Sequence, residues 1–593
     1  SELLQLSAVD LDRLMVEHEP LRAALEKVIH RRLHEAALRV ALPRALGNDS
    51  ALLDLLSDRA SWVQLQRGEI LWQQGAPADG WYLLVSGELS SMVTEHGVER
   101  EVGRVHRGEV FGEVALLRGQ PRSASIIALR ECWIARFDSQ LFEEEILTKN
   151  SAMQALLRTV AGRLAARPVS LEDSTRVIGI LAPDPDPDLD LDGFLALLGE
   201  SLPGRVRVVN AQSLREEGVV SDAEHMPADH PGWLRFEAWV ESQRRQMDYL
   251  LLVSSGPDEG WNRALLDQAD RVLLLVNADA SPQPDDIEIG LFAGSANSQQ
   301  APLWLVLEHP AERIVPSGTI AWLEARQLAH HAHIRRGHAR DIARLARWLS
   351  GDMLGLALSG GGARGFVHLG SAEAMLEAGC ELDLVVGTSA GAMSASLLAR
   401  DEAPALLCER GQLAVASQGN PFVEFDLPLI SLLRSRRLRE GLKQTFLDMA
   451  IEDSWIPLRV VATNLTESRR IVFDRGPVWE RVLASSSPPG AMPSVPLGEY
   501  LLCDGGLVDN LPVSVLVEAG CKMKVASYVG SSSSLPAPKN GMPTSWTLLI
   551  DKILRRGRYR DVPSLLATLM QSISVPAAVQ LEEARASADI FFQ

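Results

Sequence analysis

LGLALSGGGARG at residues 354–365 and LDLVVGTSAG at residues 382–391 decide how this chain reads. Each is a short apolar run that ends in a glycine-bearing turn and leads into a segment of helical spacing. Two consecutive units of this kind predict neighbouring parallel strands, with both turns at the carboxyl edge of one sheet. The second turn has the form G-x-S-x-G, with Ser389 between Gly387 and Gly391, the pattern of a nucleophile elbow. The first turn, Gly360, Gly361 and Gly362 with Arg364 and Gly365, offers backbone N–H groups to a phosphate or a developing oxyanion. Its letters also fit G-x-G-x-x-G, but Glu381 and Asp383 lie at the start of the next strand, where no ribose partner belongs.

A serine hydroxyl is a weak nucleophile and needs a base within hydrogen-bond reach. The usual histidine is missing: of 13 histidines the last is His368, and none follows Ser389. Downstream, CDGGLVDN at 503–510 sets Asp504 at a strand end, with Gly505 and Gly506 behind it. A carboxylate held dry against the serine can orient the hydroxyl and take its proton, provided its pKa is raised. His368, in the helix after the glycine loop, reads as a packing residue.

Together, in this order, the three motifs resemble those of the patatin-like phospholipases, lipid acyl hydrolases that show G-G-G-x-[RK]-G, G-x-S-x-G and D-G-[GA]. The resemblance implies Ser389 as nucleophile, Asp504 as base and Gly360, Gly361 and Gly362 as oxyanion donors. Arg364 would support that loop or meet a substrate phosphate. No metal and no catalytic cofactor is implied. VATNL at 461–465 and ASSSPPGAMPSV at 484–495 also look like family segments, the latter serine-rich where many relatives read ASxAIP.

Nearer the amino terminus, short strands divided by glycines (GEILWQQGAPADGWYLLVSGEL, 68–89) predict a small β-roll. FGEVALLRGQPRSAS, 111–125, places backbone N–H groups of a short helix beside Arg122 as countercharge. This stretch resembles the phosphate-binding cassette of cyclic-nucleotide-binding domains. By that resemblance Phe111, Gly112, Glu113, Val114, Arg122, Ser123 and Ala124 form a nucleotide site, with Glu113 on the ribose 2′-OH and Arg122 on the cyclic phosphate. The regulatory ligand expected is cAMP in preference to cGMP.

Residues 174–350 alternate apolar strands (RVIGILA, RVRVVNA, YLLLVSS, RVLLLVN, PLWLVLE) with amphipathic helices, the pattern of a Rossmann-like parallel sheet. Its first loop, APDPDPDLDLDG at 182–193, carries five aspartates and would repel phosphate. DLDLDG opens like an EF-hand, but Gly199 stands where a bidentate Glu is needed, so a solvated loop leading to a helix is expected. A spacer of this kind between a cyclic-nucleotide domain and a patatin domain resembles the neuropathy target esterase group over about residues 50–593. The expected architecture is multidomain α/β. An N-terminal helical segment (1–45) precedes a β-roll cyclic-nucleotide-binding domain (46–168), a Rossmann-like spacer (174–350) and a patatin-like α/β hydrolase domain (351–593).

Composition narrows the partners. The 593 residues hold 58 Lys and Arg against 77 Asp and Glu, a formal charge of −19 that argues against nucleic acid. The five cysteines form no C-x-x-C pair, so neither a zinc site nor a disulfide framework is indicated, which fits the cytoplasm. No apolar run reaches membrane-spanning length, and SELLQLSAVD lacks the pattern of a secretory signal; an anchor ahead of it is left open. LPLISLLRSRRLREGL (427–442) and SWTLLIDKILRRGRYRDV (545–562, with Arg555, Arg556, Arg558 and Arg560) join apolar residues to arginines and predict peripheral membrane contact. The expected activity is that of a lysophospholipase or phospholipase B, switched by cyclic nucleotide. A nucleotide-responsive scaffold with an inert hydrolase domain and an esterase for neutral lipids are the alternatives. A homodimer is left open.

Overall fold

Aromatic and β-branched runs interrupted by glycines close the roll. Its strands are β1 (Ser61–Leu65), β2 (Ile70–Trp72), β3 (Gly80–Ser86), β4 (Leu89–Glu95), β5 (Val98–Val105), β6 (Val110–Phe111), β7 (Ser125–Ala128) and β8 (Cys132–Asp138). They form two antiparallel sheets, ordered β1-β8-β3-β6 and β2-β7-β4-β5. GWYLLVS in β3 is buried along its whole length because both of its faces are covered. Trp81, Leu83 and Val85 meet Leu52 and Leu56 of the helix Ser50–Arg59, while Tyr82 and Leu84 face Phe111, Ile126 and Ile134 inside the roll. Asp49 caps that helix through the Leu52 N–H, at 3.2 Å.

The computed structural model describes residues 38–39, 41–43, 46, 49–95, 98–149, 153, 176–182, 189–220, 232–244, 246–254, 256, 259–292, 301–416, 424–530, 535, 537–538, 541–554 and 561–593. Most of the expected helical segment 1–45 lies outside the described residues, as do Arg555, Arg556, Arg558 and Arg560. The chain divides into two compact units: 1–185 with 204–274 and 284–303, and 186–203 with 275–283 and 304–593.

In the first unit, β9 (Arg176–Leu181), β10 (Val206–Val209), β11 (Tyr249–Ser254) and the start of β12 (Arg271–Asn277) lie parallel in the order β10-β11-β9-β12. In the second unit, β13 (Leu303–His309) pairs in parallel with β14 (His330–Arg335). The aspartate-rich loop ends as a helix cap: Asp190 accepts from the Gly193 N–H at 3.0 Å, at the start of the helix Leu191–Ser201.

The second unit is built on a larger sheet. Its strands are β15 (Leu354–Leu358), β16 (Leu384–Thr388), β17 (Leu458–Asn464), β18 (Arg469–Phe473), β19 (Val495–Leu497), β20 (Tyr500–Asp504), β21 (Met523–Ser527) and β22 (Ile590–Phe592). The order is β19-β20-β17-β16-β15-β21-β22, with β18 against β17. β15, β16, β17, β21 and β22 are parallel, whereas β20 runs antiparallel to β17. One face buries Leu356, Val385, Val460, Met393 and Phe446; the other buries Ala357, Val386, Val461, Leu511 and Leu516. Burial on both faces is why these strands read as unbroken apolar runs. Among the described residues no helix is long and apolar enough to cross a membrane.

Candidate active site

Strand β16 delivers Ser389 at its end, and two glycines make the turn that follows. A Cβ on Gly387 would collide with the Gly391 carbonyl, and one on Gly391 with the Leu358 carbonyl, so the helix Ala390–Leu398 starts hard against the strands. Ser389 pays with a backbone at φ 56°, ψ −122°, a conformation that costs a non-glycine residue about 1–3 kcal/mol. A buried serine holds it there. The Ser389 N–H donates to Ser485 Oγ at 2.8 Å, and the Ser485 hydroxyl donates to the Val461 carbonyl at 2.6 Å. Ser485 belongs to the serine-rich segment 484–495, which the sequence flagged without assigning it a task. Removing its hydroxyl strands a buried N–H and a buried carbonyl, so Ser485→Ala is expected to lose about 1–3 kcal/mol of stability in a urea titration.

Register brings the carboxylate to the serine. Thr388 pairs with Val461 across β16 and β17, and Ala462 pairs with Asp504 across β17 and β20, so Ser389 and Asp504 emerge at the same level. The Ser389 hydroxyl donates to Asp504 Oδ2 at 2.7 Å. Asp504 Oδ1 accepts from the Gly506 N–H at 2.8 Å, and the Asp504 N–H donates to the Ser487 carbonyl at 2.9 Å. Burial pushes the Asp504 carboxyl up from 3.8 to about 6, against the pull of the Gly506 and Ser389 hydrogen bonds.

The glycine loop lies alongside. Gly365 has no room for a Cβ against Ala390, which lets the loop press onto the elbow. One expected donor drops out, however: the Gly360 N–H is already given to the Asn510 carbonyl at 3.1 Å. The Gly361 and Gly362 N–H groups have no backbone partner among the described residues and are left available to an oxyanion. Arg364 is exposed, and both its Nε and its backbone N–H reach the Gly361 carbonyl at 3.4 Å. His368 braces the loop from beneath. A carbonyl can only accept, so His368 Nε2–H donates to Ser359 O at 2.9 Å, and Nδ1 accepts from the Ser527 hydroxyl at 2.8 Å. Burial lowers its pKa and keeps it neutral.

In the roll, Phe111, Glu113 and Arg122 are buried, Gly112 and Val114 half-buried, and Ala124 lies beside an exposed Ser123. Gly112 adopts φ 81°, and a Cβ there would stand 2.7 Å from Arg122 Nη1. The Arg122 guanidinium donates to Gly112 O at 2.8 Å, Asp79 Oδ1 at 2.9 Å and Gly80 O at 2.8 Å, and lies 4.0 Å from the Trp72 ring centroid. Its Nε hydrogen has no partner among the described residues, which suits an anion. The sequence reading missed Asp79 and Trp72. Asp79 stands in the PADG turn ahead of β3, where a buried arginine in search of a carboxylate was the available signal; Trp72 donates its Nε1–H to Ala124 O at 3.0 Å.

Comparison with known proteins agrees with this layout. Residues 62–149 match the cyclic nucleotide-binding domain, residues 187–338 the neuropathy target esterase family P-loop like domain, and residues 356–517 the patatin-like phospholipase family. The chain thus joins a region that matches the patatin-like phospholipase family to one that matches the cyclic nucleotide-binding domain. Over most of its length the chain is similar to proteins of the neuropathy target esterase group. It is 27% identical to "Neuropathy target esterase sws" of Drosophila melanogaster over 89% of this chain and 40% of that protein. It is 25% identical to "Lysophospholipase NTE1" of Mycosarcoma maydis over 96% of this chain and 34% of that protein. The chain therefore spans about two fifths or less of these curated relatives. A solved structure, the regulatory domain of Toxoplasma gondii PKA with cAMP, is 26% identical over 20% of this chain and 46% of its own, with a TM-score of 0.19.

Proposed function

We propose that this chain hydrolyses acyl esters of lysophospholipids or glycerophospholipids through Ser389 and Asp504, at a membrane surface, under the control of a cyclic nucleotide. The observation that carries the hydrolase reading is the 2.7 Å contact between the Ser389 hydroxyl and a buried carboxylate whose pKa is pushed up to about 6. Near neutral pH such a carboxylate is ionised yet basic enough to accept a proton. As Ser389 Oγ bonds to the ester carbonyl carbon, its proton passes to Asp504 Oδ2. The carbonyl oxygen becomes an oxyanion facing the Gly361 and Gly362 N–H groups, each such donor being worth about 3–4 kcal/mol. Collapse breaks the bond to the glycerol oxygen, which leaves with the Asp504 proton. Water, deprotonated by Asp504, then frees the fatty acid and restores Ser389.

The test is release of fatty acid from lysophosphatidylcholine by the wild type and Ser389→Ala, each with and without cAMP and cGMP. Activity in the wild type that the mutation removes supports the reading; no turnover in either leaves a scaffold.

For the roll, Arg122 would hold the cyclic phosphate and Glu113 a ribose hydroxyl, with cAMP the ligand we expect. A phosphate received by the guanidinium changes the charge 4.0 Å from the Trp72 ring centroid. Tryptophan emission is therefore expected to shift on cAMP titration, and Arg122→Gln to weaken binding about 10- to 100-fold. An unchanged affinity in that variant would remove Arg122 from the site.

A further inference from the structure

Beside the catalytic centre stands a short hairpin with an unusual surface. Phe425 and Leu433 pair across it, Asp426 N–H donates to Leu432 O at 3.0 Å, and Arg434 N–H donates to Glu424 O at 2.8 Å. Between these bonds Phe425, Leu427, Leu429 and Ile430 are 70%, 70%, 83% and 83% exposed. Single apolar side chains on a surface are ordinary; four in six residues at the tip of a hydrogen-bonded hairpin form a patch that water penalises. The base of the hairpin is fastened to the active site. Leu432 and Leu433 N–H groups donate to Gly490 O and Ala491 O, both at 2.9 Å, on the segment that carries Ser485 and Ser487 to the elbow and to Asp504.

Charge points to the occupant. From 424 to 443 the chain places Arg434, Arg436, Arg437, Arg439 and Lys443 against Glu424, Asp426 and Glu440, a local excess of cations in a protein of net charge −19. Arg434, Arg436 and Arg439 are exposed where the hairpin runs into the helix Arg436–Phe446. We propose that residues 425–433 are a lipid-docking finger: the four apolar side chains enter the acyl region of an anionic bilayer and the three arginines meet its headgroups. The finger then holds the elbow at the surface that supplies the ester. This assignment rests on the lipid-ester reading above and names the element that makes the membrane contact. An apolar tip with a basic collar is complementary to an anionic bilayer, which offers an apolar interior beneath a layer of negative headgroups.

The test is sedimentation of the full chain with phosphatidylcholine vesicles, with and without phosphatidylglycerol, beside turnover of a soluble short-chain ester. Wild type is expected to pellet with the anionic vesicles. Leu429→Asp combined with Ile430→Asp is expected to weaken that binding at least about tenfold, since two exposed aliphatic side chains that enter the bilayer become charged. Arg434→Gln with Arg436→Gln and Arg439→Gln is expected to remove the preference for anionic vesicles. Soluble-ester turnover should be unchanged in both, because these side chains face outward. Vesicle binding unaffected by the aspartates, or wild type that pellets with neither vesicle, overturns the finger. So does a wild-type dimer that the aspartates split, which would make a second copy the occupant, or a parallel fall in soluble-ester turnover. If wild type turns over no soluble ester, the hydrolase reading fails while sedimentation still decides the finger.

Discussion

Ser389→Ala is expected to lower fatty-acid release from lysophosphatidylcholine by at least about 10⁴-fold, the scale set when a nucleophile is removed from a serine hydrolase. Nothing nearby can replace it. Ser485 and Ser487 are fully buried, with their hydroxyls given to the Val461 and Leu483 carbonyls. The variant should fold as the wild type does, because alanine keeps the Cβ that the φ of 56° already tolerates. Labelling with a fluorophosphonate probe gives a second readout, expected in the wild type and absent in the variant. Turnover that survives the mutation would remove the dyad from the mechanism.

Asp504→Asn is expected to cost about 10²- to 10⁴-fold in turnover, the range for losing a general base. In the wild type, kcat/KM should rise with pH and level off above about 6, as the buried carboxyl gives up its proton. The asparagine variant should lack that step. Stability should move the other way. A carboxyl raised from 3.8 in the unfolded chain to about 6 in the fold binds its proton more tightly when folded. The stability this provides is fully present below about pH 4 and is lost as pH rises through 6, a difference of at most about 3 kcal/mol. Asp504→Asn removes the buried charge, so the variant should unfold at higher denaturant than the wild type at pH 7, and the two should converge near pH 4. A wild-type rate that stays flat from pH 5 to 8 would place the base elsewhere.

Glycines made the site legible before any contact was known. Gly387, Gly391 and Gly505 leave no room for a Cβ, so their spacing around Ser389 and Asp504 is a steric requirement written directly into the chain. The buried strands were legible for a related reason: both faces are covered, so RVLLLVN and LDLVV read as continuous apolar runs. β14, with the residues HHAHIR, was not found. Its histidines carry no apolar alternation, and it is a strand because it pairs with β13 and because His331 and His333 find the Glu452 carbonyl at 3.2 and 2.8 Å. β22 at 590–592 was missed likewise, being three residues long and defined only by its partner β21.

The sequence by itself determined the G-x-S-x-G turn at Ser389, the glycine loop, the D-G-G turn at Asp504 and the cassette around Arg122. These depend on local backbone sterics, which a few adjacent residues express in full. Tertiary structure alone decided that β20 runs antiparallel to β17 and so sets Asp504 against a serine 115 residues away. It also decided that Gly360 spends its N–H on Asn510, that Ser485 holds the strained elbow, and that Asp79 and Trp72 engage Arg122. Each of these is a contact between distant segments. Their partners are chosen by strand register and burial, which no short stretch of sequence encodes.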